Sequence, residues 1–475
     1  MPGKALTQDE RRGLLISLAA MPIDADTDER VLRTFLPGPQ HQRALDRRIL
    51  VVRGERGAGK TALFKLLHAL EHEQVPLSKI VPGAPDGRRI DGYAELGTVH
   101  PPAEVVEQLA ADADVETLRA FWLGHLVGRL HRESVGRRAL PTHFAEAYAR
   151  LSDAAGWASA ARAQLPELYG WLDQVDESAT ETCFVVYDHL DRIGVMRREL
   201  RERVSSALLG MWFSLSQRYE HICGKVLLRE DLFQATLTSF ADATKLEARS
   251  VRLDWSSARL FALLVRRMAD DTDMRTWLER VAGLEFRQMP HLGWMPASPE
   301  LSDKEQRALG RGLVGPYMGA GPTKGVTHTW LINHLQDAHL RVSPRSLLQL
   351  VRGAAELALE RGPRAVFRRL LTPVELQQAL EKASLRRVME LKEDYPVIGR
   401  LEGLRDAVLF LERREVVKAL RKVNVQDGYQ ENAEGAFDEL MRLGVLSDRN
   451  GRIDVPDVYR YGFGIKRKGG TRRVA

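Results

Sequence analysis

Between residues 54 and 61 the chain reads Gly54-Glu55-Arg56-Gly57-Ala58-Gly59-Lys60-Thr61: a glycine, four residues, then Gly-Lys-Thr. Glycines at these places let successive backbone N–H groups face one phosphate, and a helix that follows adds the positive end of its dipole. Lys60 would reach the outer phosphates, and Thr61 would ligate magnesium. Average residue usage gives the pattern by chance in about one such chain in a hundred. A plain glycine loop with a surface lysine would leave unexplained the strand-like run before it and the helical spacing after it. The chemistry this segment fits is binding of ATP with Mg²⁺.

Such a site needs a carboxylate at a strand end to help hold the metal. Phe184-Val185-Val186-Tyr187-Asp188 supplies an apolar strand ending in one, on what reads as a neighbouring strand. Asp188 is therefore the expected partner of Thr61 in the metal site, the alternative being a solvated strand-end carboxylate. Asp191 is placed to polarise an attacking water as general base, or else to cap a following helix. His189 reads as a solvated loop residue, because one histidine makes no metal cluster. Arg229 closes a second β-prone run, Lys225 to Arg229, where a guanidinium could stabilise charge on the transferring phosphate. Its alternative is a surface ion pair. Arg345, in the first turn of the helix opened by Ser343-Pro344, could reach the nucleotide from a lid, although a solvated arginine is the commoner case.

The elements that must position these groups follow from periodicity. Residues 48–53 form a short apolar run entering the loop, and Leu63, Phe64, Leu66, Leu67 and Leu70 recur at helical spacing after it. Residues 75–101 read as loops with one strand, 103–176 as a helical insertion, and 182–187 as a strand buried on both faces. A helix over 199–219 precedes the second strand, and 256–284 and 326–361 are largely helical. Helical segments over 401–423 and 433–443 lead into a hairpin marked by Asn450-Gly451, which suggests a winged-helix module. The expected fold class is α/β: a P-loop NTPase parallel sheet with a helical insertion and a helical lid, plus a C-terminal winged-helix-like module. The expected segments are a helical lead-in (1–40), a core (41–255), a lid domain (256–393), a winged-helix-like domain (394–465) and a basic tail (466–475).

At 475 residues the chain exceeds one ordinary domain about threefold. Its 44% hydrophobic and 28% charged content excludes disordered and collagen-like classes. The net charge is +6, yet Lys466, Arg467, Lys468, Arg472 and Arg473 lie in the last ten residues, which hold no acid. Removing those five from the 70 lysines and arginines leaves 65 basic against 64 acidic side chains. A nucleic-acid contact inferred from charge thus falls on the tail. Two cysteines are too few for a disulfide framework, and no apolar run approaches the roughly 20 residues that span a bilayer. With no signal-like leader either, the expectation is a cytoplasmic protein without a membrane anchor.

Together these residues resemble an AAA-like ATPase of the additional-strand P-loop group, near the KAP and NACHT-like families of signal-transducing (STAND) ATPases. Asp188-His189-Leu190-Asp191-Arg192 is similar to their Asp-x-Leu-Asp signature, which implies magnesium binding by the first Asp and assistance to hydrolysis by the second. Leu228-Arg229-Glu230-Asp231-Leu232-Phe233 resembles the segment after their sensor strand. Trp330 and Ser343-Pro344-Arg345 resemble the lid helices of prokaryotic members, several of which serve antiphage systems. Two features depart from the family: more than about a hundred residues separate the loop helix from the Asp188 strand without a KAP-type membrane pair, and His189 stands where many relatives carry glutamate. The resemblance implies an ATP-hydrolysing switch or assembly ATPase with a protein partner or a second copy of itself. The competing readings are a small-molecule P-loop kinase, disfavoured by the extra modules, and a DNA-bound regulator. The regulator would use the wing arginines Arg449 and Arg452 and the tail, against the repulsion of Glu434, Asp438 and Glu439.

Overall fold

The computed structural model describes residues 6–94, 99–136, 138–194, 197–240, 242–362 and 369–467. The chain divides into two units, one of Ala25–Asp254 and one of Met1–Asp24 together with Trp255–Ala475.

The first unit is built on five strands: β1 (Val51–Gly54), β2 (Gly87–Tyr93), β3 (Thr182–Tyr187), β4 (Ile222–Arg229) and β5 (Ser250–Arg252). They pair in the order β2-β3-β4-β1-β5, every neighbour parallel. All residues of β3 and β4 are buried, as expected for strands covered on both faces. The expectation that the Asp188 strand adjoins the loop strand is corrected: β4 lies between them. Strand runs separated by long helical segments carry no signal of their order across a sheet, so spacing could not show this.

Helix Lys60–His72 follows β1 and buries the apolar stripe Leu63, Phe64, Leu66, Leu67 and Leu70. Five helices between residues 103 and 177 join β2 to β3, and helix Arg198–Arg218 joins β3 to β4. The five helices share one core with the sheet, in which Trp122 meets the rings of Tyr93 and Tyr187 edge-on at 5.7 and 5.9 Å. Trp122, Trp157 and Trp212 are fully buried, and truncating any of them to alanine would cost about 3–5 kcal/mol.

The second unit is mostly helical, with Gln8–Ala19, Ser257–Met268, Thr272–Ala282, Asp303–Leu313, Thr327–Asn333, Pro344–Glu360 and Pro373–Asp394. It also holds a hairpin of β6 (Phe286–Met289) and β7 (Gly293–Pro296), which periodicity did not mark. After a 3₁₀ segment, Pro396–Leu404, come β8 (Val408–Leu409), helix Arg413–Arg421, helix Ala433–Arg442, β9 (Ser447–Arg449) and β10 (Arg452–Asp454). A continuous helical reading of 401–423 is corrected here: Asp406 takes a left-handed φ of 63° and β8 follows. β9 and β10 are antiparallel around Asn450 and Gly451, both at positive φ, and Leu411 bridges to Ile453. One core joins these elements, and Val388 and Leu391 of helix Pro373–Asp394 contribute to it.

β11 (Lys466–Arg467) pairs parallel with β8. Arg467 bonds the buried Asp454 at 2.7 and 2.9 Å and pairs with Asp457 at 2.9 Å, so the first part of the expected basic tail is packed rather than extended. Lys468, Arg472 and Arg473 lie outside the described residues. Among the described residues no helix is long and apolar enough to cross a membrane.

Candidate active site

Residues 55–59 leave the C-terminal end of β1 and turn directly into helix Lys60–His72. Gly57 and Gly59 have φ of 81° and 103°, the left-handed region that any L side chain would strain. Gly59 caps the helix without a side-chain hydrogen bond, so no side chain occupies the positive end of the helix at its cap. Glu55 pairs with Arg252 at 3.3 Å, Arg56 is half-buried, Ala58 is buried, and Thr61 is half-buried in the first turn of the helix. The Lys60 ammonium donates to the carbonyl oxygens of Gly54 at 2.7 Å and Glu55 at 3.1 Å. Burial pulls its pKa below the ordinary lysine value, opposed by the charges of Asp191 and Asp188.

The register sets the C-terminal ends of β1 and β4 side by side, while β3 ends three residues short of them. Gly54 of β1 lies opposite Arg229 of β4, and Tyr187, which precedes Asp188, lies opposite Val226. Asp188 is 4% exposed, and its Oδ2 has no hydrogen-bond partner. Burial pushes its carboxyl pKa up, against the lowering charge of His189. Asp191 sits within a 3₁₀ turn, Leu190–Arg192, capped by His189, which removes its reading as a helix N-cap. Its Oδ2 is 3.8 Å from Nη1 of Arg229. Arg229 is buried and held by Asp231 through Nε at 3.0 Å and Nη2 at 3.2 Å, so its ion pair is an interior one rather than the surface pair considered from sequence.

The solvated reading of His189 is corrected. Its residue is 8% exposed, its backbone is left-handed at φ 59°, and its Nε2 lies 3.6 Å from Asp26 and 3.7 Å from Asp188. Burial alone would depress the imidazole pKa, but Asp26 and Asp188 outweigh it and hold the group above its ordinary value. Asp26 also pairs with Arg192 at 3.8 Å, and its carbonyl accepts from Lys65 at 2.5 Å. Asp26 and Asp231 are the residues that sequence reasoning missed. Asp231 stands two positions after Arg229, within reach of the same guanidinium; Asp26 had no signal beyond an Asp-rich turn.

Arg345 belongs to the other unit, where Asp24 at 2.8 Å and Glu390 at 3.9 Å hold its guanidinium. Trp330, in that unit as well, stacks on His334 with ring centroids 4.2 Å apart.

The orphaned carboxylate oxygen of Asp188 and a lysine bonded to carbonyl oxygens suit a phosphate accompanied by a cation. No group of three or more His, Cys, Asp or Glu that could hold a metal occurs among the described residues.

No protein-family model matches the chain, and no curated protein matches it significantly. Among solved structures, Cdc6p from Pyrobaculum aerophilum is 11% identical, with 92% of this chain and 95% of that chain covered and a TM-score of 0.32. The ORC2 protein of Aeropyrum pernix, in ADPNP and ADP complexes, is 11% identical over the same shares with a TM-score of 0.39. At these scores the similarity assigns neither a family nor a function to the chain.

Proposed function

We propose that the chain is a P-loop ATPase that binds ATP with Mg²⁺ along Gly54 to Thr61 and hydrolyses it as a molecular switch or assembly ATPase. The observation that carries this reading is the buried carboxylate of Asp188, whose Oδ2 accepts no hydrogen bond and has His189 Nε2 3.7 Å away, on the C-terminal side of the sheet from which the loop and Arg229 also leave. Backbone N–H groups of residues 55–61 bind phosphate, and Lys60 neutralises its outer charge. Thr61 and Asp188 would hold magnesium, which when bound would supply charge screening of the phosphate oxygens. Asp191 orients the attacking water and accepts its proton. Arg229, braced by Asp231, donates to charge developing on the transferred group. For Arg345 a lid role is supported by the resemblance alone; within its own unit Asp24 and Glu390 hold its guanidinium.

β4 is the additional strand between the loop strand and the carboxylate strand, which supports membership of the additional-strand group. The KAP and NACHT-like placement and an antiphage role follow from the resemblance of the motif segments. The helix-helix-hairpin order of residues 396–454 supports a winged-helix module that binds a protein partner or a second copy of the chain. Its wing arginines are already engaged, Arg449 with Asp454 at 3.0 Å and Arg452 with Glu412 at 3.3 Å, which disfavours the DNA-regulator alternative.

The test is steady-state ATP turnover by wild type, Lys60→Ala and Asp191→Ala. Lys60→Ala is expected to abolish turnover, and Asp191→Ala to lower it about 100-fold or more while ATP still binds. Turnover retained in Asp191→Ala would remove its role as base.

A further inference from the structure

The edge of the sheet opposite the phosphate loop carries basic groups that the nucleotide site does not use. There the turn after helix Pro39–Ala44 runs into the start of β1, and Arg249 leads into β5, its carbonyl accepting from Leu50 and Val51. Two cavities, of about 520 and 600 Å³, open at this edge and share Arg43, Asp46 and Arg48 in their walls. Arg249 lines the first and Arg47 the second.

Asp46 is the one acid in either wall, and Arg48 bonds both its carboxylate oxygens, at 3.1 and 2.8 Å. Behind it lies Lys225, 1% exposed, whose ammonium donates to the carbonyl oxygens of Asp46 and Ile49. Burial brings that lysine down to about 8, so much of its charge persists beneath the turn at neutral pH. Arg43 and Arg47 are exposed, and among the described residues their guanidinium groups have no ion-pair or hydrogen-bond partner. Four arginines thus line the walls against one carboxylate that Arg48 already neutralises, although Arg249 also donates to the Ser216 hydroxyl and lies 5.5 Å over the Phe213 ring.

We propose that this edge binds the phosphate backbone of a nucleic-acid strand. Guanidinium forks match phosphate oxygens in geometry as well as charge. Two adjoining cavities with shared arginine walls fit a succession of phosphates better than one compact anion. An acidic protein segment would also be attracted, and competition by polyglutamate distinguishes it from a phosphate backbone. The site is separate from the expected contacts at the tail and the wing, and it does not depend on the ATPase reading.

The experiment is fluorescence anisotropy with labelled single-stranded and duplex oligonucleotides across a salt series, using the full chain. The proteins are wild type, Arg43→Glu/Arg47→Glu and Lys60→Ala, with thermal melting to confirm folding. Every protein keeps residues 466–475, so the double variant isolates this edge. The double variant is expected to bind at least about tenfold more weakly, with a salt slope shallower by about 1 to 2, while its ATP binding is unchanged. Lys60→Ala is expected to lose ATP and keep the oligonucleotide, which separates this proposal from the nucleotide site. Equal oligonucleotide affinity and slope in wild type and the double variant would overturn it, as would competition by polyglutamate as effective as that by unlabelled DNA.

Discussion

Asp188 is the residue whose placement makes least sense without a ligand. A carboxylate 4% exposed, with an oxygen that accepts no hydrogen bond, is costly when ionised, because burial raises its pKa against the lowering charge of His189. Folding stability therefore falls as pH rises from the ordinary carboxyl range through that raised value, and at neutral pH the protein carries the penalty. Asp188→Asn is expected to raise the melting temperature of the nucleotide-free protein by a few degrees, on the order of 1 kcal/mol, while abolishing turnover. A lower melting temperature would show that the carboxylate has a compensating partner. Arg229 poses the complementary case, since Asp231 holds its fork in place. Asp231→Asn should leave ATP affinity within about threefold and reduce kcat about tenfold, as expected when a donor is present but loosely aimed. Equal losses in binding and turnover would instead indicate a general structural role.

At the scale of elements, a buried polar cluster joins two helices of the insertion to His100, in the segment between β2 and the first insertion helix. His100 Nδ1 lies 3.1 Å from His125 Nε2, and the Tyr148 hydroxyl lies 2.9 Å from His125 Nδ1. Burial lowers His100 to about 4 and His125 well below its ordinary value, with Arg129 and Arg132 adding to the effect and Asp91 opposing it at His100. Each is neutral in the folded state where the unfolded chain would be protonated. Stability from this cluster is therefore full above about pH 6.5 and declines as pH falls toward about 4. Melting curves across that window should show a marked acid loss in wild type and a shallower one in His100→Gln/His125→Gln; parallel curves would assign the acid sensitivity elsewhere. Elements themselves were partly legible. Thr182–Tyr187 was visible as an uninterrupted β-prone run, and the loop helix by its leucine spacing. The hairpin of β6 and β7 was not, because Phe286 to Pro296 shows no clean alternation, and part of what holds it comes from elsewhere in the chain: Arg266 donates to the Trp294 carbonyl at 2.7 Å. The strand Val408–Leu409 was equally hidden, since its pairing with Lys466–Arg467 comes from far along the chain.

For the whole molecule, the turn from Gly54 into helix Lys60–His72 was readable because the residues that build it are contiguous. The remainder of the site depends on sheet order, which brings β4 beside β1 and aligns Arg229 with Gly54. His189 was misread for the same reason: adjacency in sequence to Asp188 said nothing of Asp26, more than a hundred residues earlier, that covers it. Net charge was also a weak guide, since Arg467 of the basic C-terminus is bound by Asp454 and Asp457. A nucleotide at Gly54 to Thr61, as proposed, would account together for the loop, the pairing of Gly54 with Arg229 and the buried carboxylate. Isothermal titration of Mg·ATP into wild type and Lys60→Ala tests this directly. Wild type is expected to bind one ATP per chain, with Lys60→Ala weakened at least about tenfold. Absence of binding by wild type, or equal affinity in Lys60→Ala, would contradict it.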